Sequence, residues 1–413
     1  MTRLRAARLA GFAGPRRASQ PVVQCCSRPE NGQLERMHPQ NQLENSDPRP
    51  NSPSPVLGWL AIIIILLGSL AFIAGSVSAG VGWHADWNDQ LSPTLQKKTV
   101  QLLVTLWIGF LGACFGSFLN VVIYRVPLGR TISGHSGCPR CGHVIRPQHN
   151  IPLIGWLFLQ GRCHDCHLPI AVRYPIIEAF IASLFLVIAF GEVYTGGDNL
   201  PYFSPPTFAG VVGIVLDPQW DLLAIASLHA AVLTVLVSWT VIVYDGFRVP
   251  TVYALCTLGL VAVVTYLVPA LVPHSEPLTD PATIGYRFLW GTCVGGLSWY
   301  AGSVRGRREP RRGTLGVVYG YVLITLTFGV SSVVSIYLLE GLIRSILYWV
   351  DSRGRLPWGI GLCLATLLHL LVWQGLEYSS WWPNRGSGRS LVLGILAAQA
   401  LNTSCVRRRK LGD

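Results

Sequence analysis

The run Thr314–Val350, "TLGVVYGYVLITLTFGVSSVVSIYLLEGLIRSILYWV", decides how this chain is to be folded. At 1.5 Å per residue a straight helix over the whole run would be about 55 Å long, well beyond a hydrocarbon core of roughly 30 Å. The pattern predicts two spans, 314–330 and 332–350, broken at "FGVSS", 328–332, where a glycine and two serines interrupt the apolar sequence.

Outward from it, apolar runs recur at 56–80, 100–123, 176–195, 221–244, 252–273, 284–303, 357–375 and 389–403. The composition agrees: 51% of the 413 residues are hydrophobic and 13% charged, against about 25% charged in soluble domains. A soluble globular class is excluded. The expected fold is all-α, a polytopic membrane helix bundle of about 8–10 spans with a small cytoplasmic zinc-knuckle loop.

Charge orients the spans, because cytoplasmic loops are enriched in Lys and Arg. With the N-terminus inside, Arg125, Arg130, Arg140, Arg146, Arg162 and Arg173 fall in one inside loop, 124–175, and Arg248 in another. The loop 304–313 with "RGRREPRR" and the tail Arg407, Arg408, Arg409, Lys410 are also inside. The opposite loops 196–220 and 274–283 carry Asp198, Asp217, Glu276 and Asp280 and no Lys or Arg. Lys97, Lys98, Arg385 and Arg389 run against the pattern. The net charge of +12 therefore reads as membrane topology rather than as a nucleic-acid surface.

Residues 1–55 are rich in Arg, Pro, Ser, Asn and Gln, and the expected domain order begins with them as a disordered extension. Their Arg-rich start lacks the apolar core of a secretory signal, and Met37 is an alternative start to Met1. A first span and loop follow over 56–99, then a region 100–195 enclosing the 124–175 loop, a helical region 196–403, and a basic tail 404–413.

Within 124–175 stand Cys138-x2-Cys141 and Cys163-x2-Cys166. Two such pairs supply four thiolates in two tight turns, the ligand set of a closed structural zinc site. A reducing compartment disfavours the disulfide alternative. His143, His164 and His167 crowd the same turns but are superfluous to a saturated site, so they are expected on the surface.

The stretch 112–180, with "GSFLNVV" at 116–122, Arg125 and Pro127, both cysteine pairs, Asn150-Ile-Pro, "GRC" at 161–163 and "RYPIIE" ending at Glu178, resembles the N-terminal half of bacterial type IV prepilin peptidases. The resemblance implies an inner-membrane enzyme that removes the basic leader of prepilins or pseudopilins at the cytoplasmic face. It implies too, for many members, N-methylation of the new N-terminus with S-adenosylmethionine. The partners it implies are the prepilin substrate and membrane lipid.

The family is an intramembrane aspartyl protease, whose chemistry needs two carboxylates. One acts as base toward water and the other, protonated, polarises the peptide carbonyl. Asp245, five residues before Pro250 in "VIVYDGFRVPTVYAL", matches the first catalytic motif; its structural alternative is a helix-end aspartate beside Arg248. The second motif, Gly-x-Gly-Asp, is absent from the chain. "GTLGVV", 313–318, stands in its place, with Val317 where the acid would be, while "GRLPWGIGLCLA", 354–365, resembles the family's late Pro-Phe-Gly segment.

Asp351 ranks first as a displaced second acid, its alternative being a helix cap or a partner for Arg353 or Arg355. Glu309 is flanked by arginines, Glu340 is expected far from Asp245, and Glu178 is expected to order the cysteine loop. Two functions follow: a peptidase with a divergent dyad, or a catalytically impaired relative that binds prepilin or assembly proteins as a scaffold. A transporter using Glu178, His229, Glu340 and His369 is a third and weaker reading.

Overall fold

A computed structural model describes residues 91–138, 140–203, 210–272, 280–305, 314–350, 358–379, 382 and 394–400. All of them belong to one unit, Pro53–Asp413. The described residues are almost wholly helical: α1 (Leu91–Arg125), α2 (Ile154–Phe158), α3 (Arg173–Ile188), α4 (Gly210–Leu216), α5 (Trp220–Tyr244), α6 (Thr251–Leu267), α7 (Pro281–Arg305), α8 (Thr314–Val350) and α9 (Trp358–Glu377). Residues 394–400 are helical as well.

Five stretches are long and apolar enough to cross a membrane: Lys97–Leu128, Arg173–Val193, Trp220–Tyr244, Leu315–Leu347 and Gly359–Glu377. On α1 the side chains of Leu102, Leu103, Leu106, Trp107 and Phe110 are at least half exposed, a continuous apolar surface suited to lipid rather than water. The 56–80 run, the extension 1–55 and the tail 404–413 lie outside the described residues. Each of the other apolar runs coincides with a helix or part of one.

The long run does fold back on itself. Gly329 takes φ 81° and ψ 177°, a conformation open to glycine alone among common residues, and ends one arm while starting the next. Tyr321 and Tyr337, which a straight helix would hold about 24 Å apart, bring their ring centroids to 5.9 Å. The arms, 314–328 and 330–350, are the most deeply enclosed of the spans, 89% of the most apolar window being buried.

Two antiparallel pairings rest on glycines spaced by four. A Cβ at Gly112 would lie 2.8 Å from Ala182 Cα, and one at Gly116 2.7 Å from Glu178 Cα, so α1 and α3 touch backbone to backbone. A Cβ at Gly291 would lie 2.6 Å from Val322 Cα, and one at Gly295 2.8 Å from Val318 Cα, which closes α7 on the first arm of α8. Between membrane helices, where lipid is as apolar as the side chains, such close approach is the main source of association.

Candidate active site and metal centre

The 124–172 segment folds as two cysteine turns facing each other. In the first, Cys138 N–H donates to His143 O and Gly142 N–H to Cys138 O. The second repeats it, with Cys163 N–H to Leu168 O and His167 N–H to Cys163 O. Isolated bridges Gly137 to Val144 and Arg162 to Pro169 close the bases of the two turns. Gly142 and His167, each directly after its pair, carry the positive φ that the turns need, 73° and 58°, and Gly161 at 68° leads into the second turn.

These turns bring the Sγ atoms of Cys138, Cys141, Cys163 and Cys166 within 4.8 Å of one another. Cys138 to Cys166 is 3.9 Å and Cys141 to Cys163 is 4.0 Å. Four sulfurs on a tetrahedral zinc with Zn–S near 2.3 Å stand about 3.8 Å apart, so the set fits such an ion. Backbone N–H groups of Cys166 and Asp165 help to lower the Cys163 thiol to about 7, whereas Cys141, despite a lowering hydrogen bond from His143 N–H, is raised to about 12 by burial and the other three thiols, so the crowded sulfurs do not all lean toward the thiolate. His143, His164 and His167 are exposed; His164 stacks on His149 and hydrogen-bonds Asp165.

The loop is tied to the bundle by Glu178, near the start of α3. Its Oε2 accepts from Leu153 N–H at 2.7 Å, and Leu153, at φ 60°, begins α2. Trp156 Nε1–H reaches Ile170 O at 3.4 Å, and Ile170 N–H donates to Gly161 O at 2.7 Å. Three residues beyond Ile170 the chain enters α3 at Arg173, and Asn120 of α1 donates to Tyr174 O at 3.2 Å.

Arg173 is the residue that sequence reading missed. Its Nη2 lies 2.7 Å from Asp245 Oδ2, and its Nη1 donates to Asp245 Oδ1 at 2.8 Å, a bidentate pair. Asp245 caps the C-terminal end of α5, followed by Gly246 at φ 82°. The pair is partly open, with side chains 31% and 19% exposed. Arg248, the neighbour expected beside Asp245, is exposed. The two partners are 72 residues apart in sequence, and only the Arg-Tyr-Pro opening of α3 hinted that Arg173 had a task.

Asp351 and Glu309 lie outside the described residues. Val317, where the missing acid was expected, is a core residue 4% exposed. Glu340 lies on the second arm of α8, which the reversal at Gly329 sends back along the bundle. A Cβ at Gly361 would be 3.6 Å from Glu340 Cγ and one at Gly359 2.2 Å from Thr240 Oγ1, so Glu340 and Thr240 adjoin the same turn of α9. Thr240 precedes Asp245 by about 7.5 Å of helix.

Glu340 is fully engaged there. It pairs with Arg344 at 2.6 Å, accepts from Ser298 Oγ at 3.2 Å and from the Tyr321 hydroxyl, and is fully buried. Elsewhere His229 Nδ1 meets Glu192 Oε1 at 2.8 Å with both side chains fully buried, and His369 Nδ1 meets Ser335 Oγ at 3.0 Å. Glu192, inside the 176–195 run, was not singled out from sequence. The four ionisable groups of the transporter reading fall in three places: Glu178 on the cysteine loop, Glu340 on Arg344, and His229 and His369 together about the Trp373 ring.

Residues 110–191 match the Bacterial Peptidase A24 N-terminal domain. A prepilin leader peptidase/N-methyltransferase of Myxococcus xanthus is 50% identical over 95 residues, 22% of this chain and 28% of that protein. One from Pseudomonas putida is 30% identical over 305 residues, 65% of this chain and 91% of the relative. One from Klebsiella pneumoniae is 33% identical over 195 residues, 45% and 72% of the two chains. No solved structure gives a significant match. With a relative matched over nearly its whole length and the cysteine turns in place, the chain belongs to the prepilin leader peptidase/N-methyltransferase family.

Proposed function

We propose that this protein is an aspartic endopeptidase of the bacterial inner membrane that cuts the basic leader from type IV prepilins or pseudopilins at the cytoplasmic face. The observation that carries this reading is Asp245: it stands at the end of a spanning helix, partly exposed, beside the cysteine loop that the family shares. In this reading Asp245 is one carboxylate of the dyad and Asp351 the other. The ionised member takes a proton from the attacking water while the protonated member donates to the peptide carbonyl. The four cysteines hold a structural zinc, which gives the loop a fixed shape that its apolar residues, with Val144, Ile154, Leu157 and Phe158 exposed, do not supply. The names of the relatives include methyl transfer, so N-methylation of the new N-terminus, with S-adenosylmethionine as donor, belongs to the same proposal.

The scaffold reading is favoured by Val317. A buried valine where the family has an acid leaves the first arm of α8 without a carboxylate at that point. The experiment that separates the two is cleavage of a prepilin by the purified protein in lipid nanodiscs, beside Asp245→Asn and Asp351→Asn. Loss of cleavage by a factor of about 10²–10⁴ in each variant supports the dyad. Binding of prepilin without turnover by the zinc-loaded wild type would replace the peptidase by the scaffold.

A further inference from the structure

The cysteine loop turns an apolar face outward. In α2 the side chains of Ile154, Leu157 and Phe158 are 57%, 51% and 75% exposed. Spacing of three and four residues puts all three on one side of the helix. The other side packs into the loop: Gly155 is buried with His149 O where a Cβ would stand, and Trp156 lies over Gly161 and donates to Ile170 O.

Depth decides what covers the outward face. Leu153, which begins α2, gives its N–H to the Glu178 carboxylate, and Glu178 lies five residues into the membrane-length stretch that starts at Arg173. Five residues are about 7.5 Å of helix. Even with the carboxylate leaning back toward the helix start, α2 begins no higher than the level at which α3 enters the bilayer. Gly116 of α1 meets Glu178 Cα at that level, and its neighbours Phe115 and Phe118 are exposed as part of the apolar surface that α1 turns to lipid. The face of α2 continues that surface at matching depth.

Charge complements the placement. The segment 124–172 contains five arginines against one acid, Asp165, and Arg140, Arg146 and Arg162 are exposed. An apolar face rimmed by arginines suits the headgroup region of an anionic bilayer.

We infer that α2 is an interfacial anchor: Ile154, Leu157 and Phe158 enter the acyl boundary of the leaflet on the Arg173 side, and the loop's arginines engage anionic lipid headgroups. The cysteine turns give the loop its shape, and the bilayer gives it its place beside Arg173 and Asp245. This holds whether or not the protein cleaves a prepilin.

The test replaces Phe158 by trifluoromethyl-phenylalanine in the full-length, zinc-loaded protein, held in nanodiscs of phosphatidylcholine mixed with phosphatidylglycerol. Fluorine relaxation by dissolved oxygen, which concentrates among acyl chains, is compared with relaxation by a water-soluble gadolinium chelate. The ratio should approach that of the same label at Leu106, an exposed position on α1. Leu157→Asp should raise gadolinium access several-fold while the cysteines keep their metal, and Ile154→Asp, on the same face, serves where Leu157→Asp does not fold. Leaving out phosphatidylglycerol should raise gadolinium access about 2–5-fold, since one arginine at an anionic surface is worth about a factor of five.

A label at 158 as open to gadolinium as one free in buffer would overturn the inference. Shielding that appears only on addition of a prepilin would overturn it too, by assigning the face to a protein. Access unchanged in both aspartate variants would mean that the protein itself shields the ring, with the same consequence. Access indifferent to phosphatidylglycerol would overturn the part given to the arginines.

Discussion

In the α1–α3 pair, Gly112 and Gly116 let two backbones meet at Ala182 and Glu178; in the α7–α8 pair, Gly291 and Gly295 do the same at Val322 and Val318. Beyond this shared device the two regions diverge. The first carries above it a loop with four converging thiols and presents Arg173 to Asp245. The second has a buried valine at 317, and its ionisable residue, Glu340, is consumed by Arg344, Tyr321 and Ser298. Helix packing has been kept in both, while groups open to chemistry among the described residues gather on the first. Close backbone contact is thus a property of the membrane fold and says little about activity.

The sharpest way to break the comparison is to remove the metal-binding set. Cys163→Ser, or a strong chelator, should empty the site and open the 124–172 loop, since structural zinc sites supply on the order of 10–16 kcal/mol to the small folds they hold. Limited proteolysis should then cut within 131–168 while the spans stay protected, and metal content should fall together with protection. Protection that survives in metal-free protein would mean that Glu178 and Trp156 hold the loop unaided.

A smaller effect separates the two ion pairs. Arg344→Gln strips the counter-charge from a carboxylate that is 0% exposed and should cost about 3–5 kcal/mol. Arg173→Gln acts on a pair 31% and 19% exposed and should cost about 1 kcal/mol or less. Thermal unfolding in detergent at low and high salt reads both. The Arg344 loss should be nearly indifferent to salt and the Arg173 loss should shrink as salt rises, because screening reaches only the exposed pair.

These differences mark where sequence sufficed. Spans were legible because apolar runs of membrane length have few other uses, and the reversal at Gly329 was legible because 37 residues cannot cross once. The cysteine spacing announced its own convergence. The partner of Asp245 was not legible, since Arg173 and Asp245 meet through the packing of α3 beside α5, which no local pattern encodes. The Glu192–His229 contact joins a π-helical turn after α3 to the middle of α5, again a product of tertiary packing.

The finest test uses two adjacent glycines in α7. A Cβ at Gly295 would lie 2.8 Å from Val318 Cα, a backbone atom that cannot rotate away, whereas one at Gly296 meets nothing within 4 Å. Gly295→Ala should therefore push α7 off the first arm and cost about 1–3 kcal/mol. Gly296→Ala faces open space and should add up to about 1 kcal/mol through helix propensity alone. Gly116→Ala, with its Cβ 2.7 Å from Glu178 Cα, should behave like Gly295→Ala, and should in addition loosen the Leu153 N–H contact that Glu178 makes to the cysteine loop. Unfolding midpoints of the three variants give the signs, and proteolysis of the loop reads the extra effect. If Gly295→Ala loosened the loop as Gly116→Ala does, the two helix pairs would be mechanically one, and the separation drawn between a chemical region and a packing region would fail.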